Sequence, residues 1–310
     1  MKSLINRNHE TFLKKLAVTA SIGTAIILTL IKTYAALITG SLSVLSSLID
    51  SLSDILASAI TFIAIRYSDR PLTNQHRYGY GKAESVSALI QSAFIAGSAG
   101  FILYDGFYRL VNPKQIEETF FGIVIMSICW LITLSLIMLQ KYIIKRVRSQ
   151  AINADSGHYT VDLLSNGSVI ISLFVVKYLH WTWFDVSTAI LISAYLLYSA
   201  GIIAYEALEE ITDKEIAEAD RQKIIDAVSR IDGVLGCHDF RSRVSGSMFF
   251  IELHLEFDGN KTLYSTHEIS DIAESKIISL FPQAQVIIHQ DPYGLKEKRL
   301  DHDIEGSCKL

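Results

Sequence analysis

Long apolar stretches dominate the first two thirds of the chain. Residues 85–104, 119–139 and 186–205 run without an Asp, Glu, Lys or Arg, and each reaches the roughly 20 residues that a helix needs to cross a bilayer. Residues 16–37 carry only Lys32. Two further stretches are apolar but interrupted: 41–65 holds Asp50 and Asp54, and 155–176 holds His158 and Asp162. A large soluble helical protein would show polar faces at helical period on most of these segments; 119–139 has none. The pattern predicts six membrane-spanning helices ending near residue 208.

From Asp213 the pattern changes. Residues 219–231 set Ile224, Ile225 and Val228 among charges, as an amphipathic helix does, and Gly233 and Gly236 mark a break after it. Residues 248–257 alternate with period two. Phe249, Ile251, Leu253, Leu255 and Phe257 share one face, and Phe250, Glu252, His254 and Glu256 the other. Residues 265–280 read as a second helix stopped by Pro282, and 286–289 as a short strand. With a strand near 237–244 the order is α-β-β-α-β. The predicted fold is an all-α six-helix transmembrane domain, 1–212, followed by a small cytoplasmic α+β domain, 213–295. The charged end, 296–310, is expected to be disordered.

Composition agrees with a membrane protein. Of 310 residues 50% are hydrophobic, and the mean hydropathy is +0.32. The net charge of −4 gives no basic excess for nucleic acid. Cys129, Cys237 and Cys308 are too scattered for a disulfide framework or a cysteine zinc site. No removable signal peptide is expected at the N-terminus. Lys and Arg distribution sets orientation. One side would hold Lys2, Arg7, Lys14, Lys15, Arg66, Arg70, Arg77, Lys82, Lys141, Lys145, Arg146 and Arg148; the other holds Arg109, Lys114 and Lys177. Both termini are therefore expected in the cytoplasm.

Ionisable residues inside a span are costly and usually functional. Asp50 and Asp54 stand at i, i+4, so they share one helix face. His158 and Asp162 repeat that spacing on another helix. If the faces meet, one imidazole and three carboxylates converge into a four-coordinate site of the kind zinc favours. The imidazole shifts preference toward Zn, Fe, Co or Cd and away from Mg, Ca and Mn. Two carboxylates at i, i+4 repel, so a structural role alone does not explain the pair. Asn166, a turn beyond Asp162, reads as a packing amide, with a helper ligand as the alternative.

At these residues the chain resembles the cation diffusion facilitators. The resemblance rests on Gly40-Ser-Leu42 with Asp50-Ser-Leu-Ser-Asp54, on Tyr78-Gly-Tyr-Gly-Lys-Ala-Glu84, on His158-Tyr-Thr-Val-Asp162-Leu-Leu-Ser-Asn166 and on Ile288-His-Gln-Asp-Pro292. It runs from about residue 10 to 295 and is closest to the bacterial branch that exports ferrous iron and zinc. It implies a homodimer in the inner membrane that exchanges a divalent metal (Zn2+, Fe2+ or Cd2+) for protons by alternating access. Metal is then both cargo and a structural ion of the cytoplasmic domain, and no organic cofactor is implied.

The resemblance also marks further positions. Such proteins often carry an extra metal site in the loop after the second helix, built from an Asp and two His. Thr73, His76 and Tyr80 match here, so only His76 keeps a ligand, with Asp69 nearby. A phenol with a pKa near 10 is a poor ligand at neutral pH, and this site is expected to be weak or absent. Lys82 matches an interdomain lysine whose partner would be Asp213. In the tail, His238, His254, His267, His289 and Asp291 match a two-metal cluster with His254 shared, and Gln290 could add a carbonyl. That cluster would hold two protomers in register.

Other function classes fit less well. An intramembrane metalloprotease would use HExxH, but His9-Glu10 and His267-Glu268 lack the second His. An ATP-driven pump would carry GxxxxGK[ST], and Gly79-Tyr-Gly-Lys82 has the wrong spacing. A channel would need a site that releases its ion quickly, which four strong ligands do not favour.

Overall fold

The computed structural model describes residues 2–39, 42–111, 120–179 and 183–295; at some helix positions, Asp50 among them, only the backbone path is described. Six long helices come first: α1 (Lys2–Thr39), α2 (Leu42–Ser68), α3 (Lys82–Val111), α4 (Phe120–Ile144), α5 (Gln150–Leu179) and α6 (Trp183–Ile211). The tail carries α7 (Glu218–Ser229), β1 (Gly236–Ser245), β2 (Met248–Phe257), α8 (Leu263–Leu280) and β3 (Ala284–Pro292). Contacts divide the chain into one unit, Asn8–Leu208, and another, Glu209–Leu310 with Met1–Arg7.

In the helical unit, four windows are long and apolar enough to cross a membrane: Glu10–Tyr34, Lys82–Tyr104, Ser127–Ile144 and Ile190–Ile211. Among the described residues α2 and α5 hold no such window; they are the helices that carry the ionisable pairs. Packing inverts the pattern of a soluble bundle. Many inner positions are small or polar: Ala17, Ala57, Ser58, Ala88, Gln91, Ala154 and Ser193 are fully covered, beside large apolar residues such as Ile65, Ile95 and Leu196. Large apolar side chains such as Leu30, Ile63, Phe101, Met138 and Leu191 point outward. Lipid tails are as apolar as leucine, so helices in a bilayer associate through close backbone approach and polar contacts.

The hub of this unit is α5, which packs against α2, α3 and α4. It begins at Ser149, whose hydroxyl accepts from the Ile152 amide at 3.3 Å, as an N-cap does. At Gly157 a Cβ would come within 3.0 Å of Ile203 and 3.2 Å of Ile95. The missing side chain therefore lets α3 and α6 close on the turn that carries His158.

Lys14 and Lys82, expected in loops, lie within α1 and α3. Lys14 is 2% exposed and pairs with Glu84, itself fully covered. Glu84 also accepts from Ser68 at 2.9 Å and from Ser149. This cluster ties α1, the end of α2, the start of α3 and the cap of α5 together.

In the tail unit the three strands lie in the order β1-β2-β3, with β1 antiparallel and β3 parallel to β2. The β2–β3 pair is parallel because α8 carries the chain back between them. Thr262 caps α8 by accepting from the Ser265 amide at 3.3 Å, and Pro282 follows its end. Both α7 and α8 cover one sheet face. Ile224, Ile225, Val228, Ile251, Leu253, Leu255, Phe257, Ala273 and Ile277 form the core between them. The opposite face of β2 bears Phe250, Glu252, His254 and Glu256.

Because a buried pair broken on one side leaves an uncompensated charge, Glu84→Ala should destabilise the helical unit by about 3–5 kcal/mol. The double variant Lys14→Met/Glu84→Leu should recover most of that loss. Thermal unfolding of the full chain in detergent measures both, and equal losses in the single and double variants would contradict the pairing.

Candidate metal sites

The first constellation lies where α2 meets α5. Helical spacing places Asp54 on α2 opposite His158 and Asp162 on α5. His158 Nε2 donates to Asp54 Oδ1 at 3.2 Å, and both residues are buried. One ligand atom from each of Asp54, His158 and Asp162 lies within 4.8 Å of the other two. Donors this close could turn toward one shared ion. His158 Nδ1 is buried without a hydrogen-bond partner among the described residues. The Asp50 side chain lies outside the described residues; its backbone continues the same helix one turn before Asp54. Asn166 is half-buried one turn past Asp162.

The second constellation sits on the open face of the tail sheet. Strand register aligns His238 with His254 and His254 with His289, one histidine from each strand. Adjacent rings stand 5.1 and 4.6 Å apart. Asp291, paired in register with Glu256, reaches all three: His254 Nδ1 donates to Asp291 Oδ2 at 2.8 Å, with His289 at 3.3 Å and His238 at 3.5 Å. Two ligand sets result, His238–Asp239–His254 and His254–His289–Asp291, and His254 is common to both.

Two acidic residues stand beside this row, and only Asp239 is not evident from the sequence pattern. Asp239 enters because a register shift between His238 and Arg241 bulges β1 and puts it at φ +47, a conformation that Asp tolerates better than most residues. Glu256 lies 3.1 Å from His238 Nδ1. It has room because Gly236 stands opposite, where a Cβ would lie 2.8 Å from the Glu256 carboxylate. The register shift supplies Asp239, which a single strand's alternation does not reveal; Glu256 shares the β2 face of His254, as that strand's alternation predicts.

His267 does not join the row. It lies exposed on α8, 3.8 Å from Asp271, and α8 covers the sheet face opposite the histidines. Gln290 also turns away, because alternation along β3 sends its amide to α8, where it accepts from Thr266 at 2.8 Å. In the loop after α2, Tyr80 packs against His76. Its hydroxyl bonds His76 Nδ1 at 3.1 Å and Thr73 at 3.3 Å, and its ring stacks on His76 at 4.5 Å. Asp69 lies 3.9 Å from Lys15. Asp213, at φ +60, sits 3.5 Å from Arg243, and Lys82 is half-buried at the start of α3.

A family model described as the cation efflux transmembrane domain matches residues 18–212, and one described as the cytoplasmic domain of cation efflux proteins matches 216–293. The cation-efflux pump FieF of Shewanella oneidensis is 43% identical over 281 residues, 91% of this chain and 95% of that one. FieF of Citrobacter koseri is 39% identical over 288 residues, 93% of this chain and 95% of that one. Among solved structures, the zinc form of CzrB matches 28% of this chain and 99% of its own at 25% identity, with a TM-score of 0.26.

Since His254 belongs to both ligand sets, His254→Ala should weaken zinc binding by the tail more than any other single histidine change, by about tenfold or more. His267→Ala should leave it unchanged. Calorimetric titration of zinc into the two purified full-length variants makes the comparison, and equal losses would mean that the row is not the binding site.

Proposed function

The chain belongs to the cation efflux transporter family, and from that premise we propose that it exports a divalent transition-metal ion in exchange for protons. It is a multi-pass membrane transporter and not an enzyme. Its transport site is Asp50, Asp54, His158 and Asp162. The observation that carries this reading is the convergence of Asp54, His158 and Asp162 ligand atoms within 4.8 Å in a buried setting.

The chemistry derives from the donor set. Carboxylates offset the charge of a bare cation where water is scarce, and one imidazole favours zinc, ferrous iron or cadmium over harder ions. Each ligand must shed its proton to bind metal. The imidazole ordinarily titrates near pH 6.5, within the physiological range. Metal bound from the cytoplasm expels protons, and protons arriving from outside expel the metal. A proton gradient directed inward thus drives metal outward, provided the site faces one side at a time.

The rest of the molecule fits this cycle. All of α1–α6 cross the bilayer, with both termini in the cytoplasm of a bacterial inner membrane. Two protomers join, and the tail's His238–His254–His289 row with Asp291 holds structural zinc that keeps them in register. The loop at His76 and Asp69 works without metal, because Tyr80 and Thr73 occupy the positions of two ligands.

Each of Asp50→Ala, Asp54→Ala, His158→Ala and Asp162→Ala should abolish zinc uptake into inside-out vesicles, while the protein stays folded in the membrane. Near-parental uptake by any two of them contradicts the site. His158→Asp should raise Mn2+ transport relative to Zn2+, since it replaces the one nitrogen donor with oxygen. An unchanged metal ranking in competition assays would mean that geometry rather than donor type sets the choice.

A further inference from the structure

Asp155 is a carboxylate that the transport site does not use. It lies on α5 three residues before His158, roughly one turn away on the same side of the helix, and is 1% exposed. Its Oδ2 accepts from Ser21 of α1 at 2.6 Å and from Gln140 of α4 at 2.7 Å. Its Oδ1 lies 3.4 Å from the Thr61 hydroxyl of α2. Gln140 also donates to Ser21 at 2.9 Å, and Gln91 of α3 donates to Thr61. Five helices thus meet around one acidic group, and every described polar side chain bonded to it is neutral.

A buried carboxylate facing only neutral donors can hold its charge, or it can take a proton. The partners here fit both states. Ionised, Asp155 accepts hydrogens from Ser21, Gln140 and Thr61. Protonated on Oδ1, it donates to Thr61, whose own hydrogen then turns to the Ala57 carbonyl, 3.3 Å away. One hydroxyl rotation converts the first pattern into the second, and no group loses a partner. An arrangement built only to hold helices together would not need to serve both.

We propose that Asp155 is a proton-binding site of the transport cycle, loaded when the Asp54–His158–Asp162 site is empty and emptied when metal occupies it. The ionisable groups that act on it are His158 and Tyr159 on α5, and Asp162 and Asp54 act on those two in turn. Among the described residues, α1, α3 and α4 present it with Ser21, Gln91 through Thr61, and Gln140. A divalent ion one turn away disfavours a proton on Asp155, and by reciprocity that proton disfavours the ion. The O–H bond of Asp155 breaks and the proton leaves to water, leaving a carboxylate that offsets part of the metal's charge. This inference rests on the proposed antiport and names a second group that carries its proton.

Asp155→Asn preserves the shape and most hydrogen bonds but cannot titrate. In the purified full chain near pH 8, it should bind zinc within roughly threefold of the parent, whereas loss of a merely positioning partner costs about 10–100-fold in metal affinity. It should release about one proton fewer per zinc bound, read by calorimetry in buffers of different ionisation enthalpy. An unchanged proton count with unchanged affinity overturns the proposal. So does a 10–100-fold loss of affinity with an unchanged proton count, which assigns Asp155 to positioning. Should the Asn variant fail to fold, Ser21→Ala serves instead. It removes one donor to the ionised form, so the midpoint of zinc-triggered proton release should move to higher pH, and an unmoved midpoint overturns the proposal. A parent chain that binds no zinc at all overturns the proposed function along with this inference.

Discussion

The structure is organised around one constraint: charged groups placed in apolar helices must find partners inside the protein. Water is absent from the bilayer core, and an unsatisfied polar group there costs several kcal/mol. Asp54 and His158 meet that demand by facing each other across the α2–α5 interface. Asp155 meets it through Ser21, Thr61 and Gln140, and Lys14 meets it through Glu84. These contacts draw α1–α5 together more specifically than apolar packing could. Small residues let the backbones approach, and Gly157 does so at the turn of the candidate site itself. What a transporter needs for binding metal is also what fixes its helices in place.

The tail obeys a different rule. Its core is ordinary: two helices on one sheet face over Ile251, Leu253 and Leu255. The candidate ligands collect on the other face, where register stacks one histidine from each strand in a single row. A β-sheet is well suited to this, because equivalent positions on adjacent strands stand about 5 Å apart. That spacing lets one ion take ligands from two strands, and a central residue such as His254 serve two ions. Asp291 lies at the centre of the row and Glu256 at its edge, so the row already carries the negative charge that metal would neutralise.

Much of this is legible from the sequence, for reasons that can be named. The i, i+4 pairs Asp50–Asp54 and His158–Asp162 stand out because a membrane helix has so few reasons to carry charge. The alternation along β2 shows which residues face the helices and which do not. Legibility fails where a contact depends on the third dimension. Asp155 sits at the edge of an apolar run, so it resembles an ordinary boundary residue until Ser21 and Gln140 close over it. Lys14 resembles a loop cation until Glu84, 70 residues later, covers it. Asp239 needs the bulge in β1. His267 shares its residue type with the histidine row, but α8 lies on the opposite face of the sheet. Residue type and local period carry the first kind of information; cross-strand register and helix pairing carry the second.

Proton movement is held to drive metal movement through the α2–α5 site, and simultaneous recording of both fluxes tests this most directly. Full-length protein in sealed vesicles would be given zinc across about pH 5.5 to 8, a range that brackets imidazole titration, with a pH-sensitive dye inside. Exchange requires that zinc entering the vesicles drives protons out, that an opposing proton gradient speeds zinc entry, and that an ionophore which collapses the gradient removes the acceleration. Zinc entry at the same rate with the gradient collapsed, and with no proton movement, would contradict exchange and point to a passive pore.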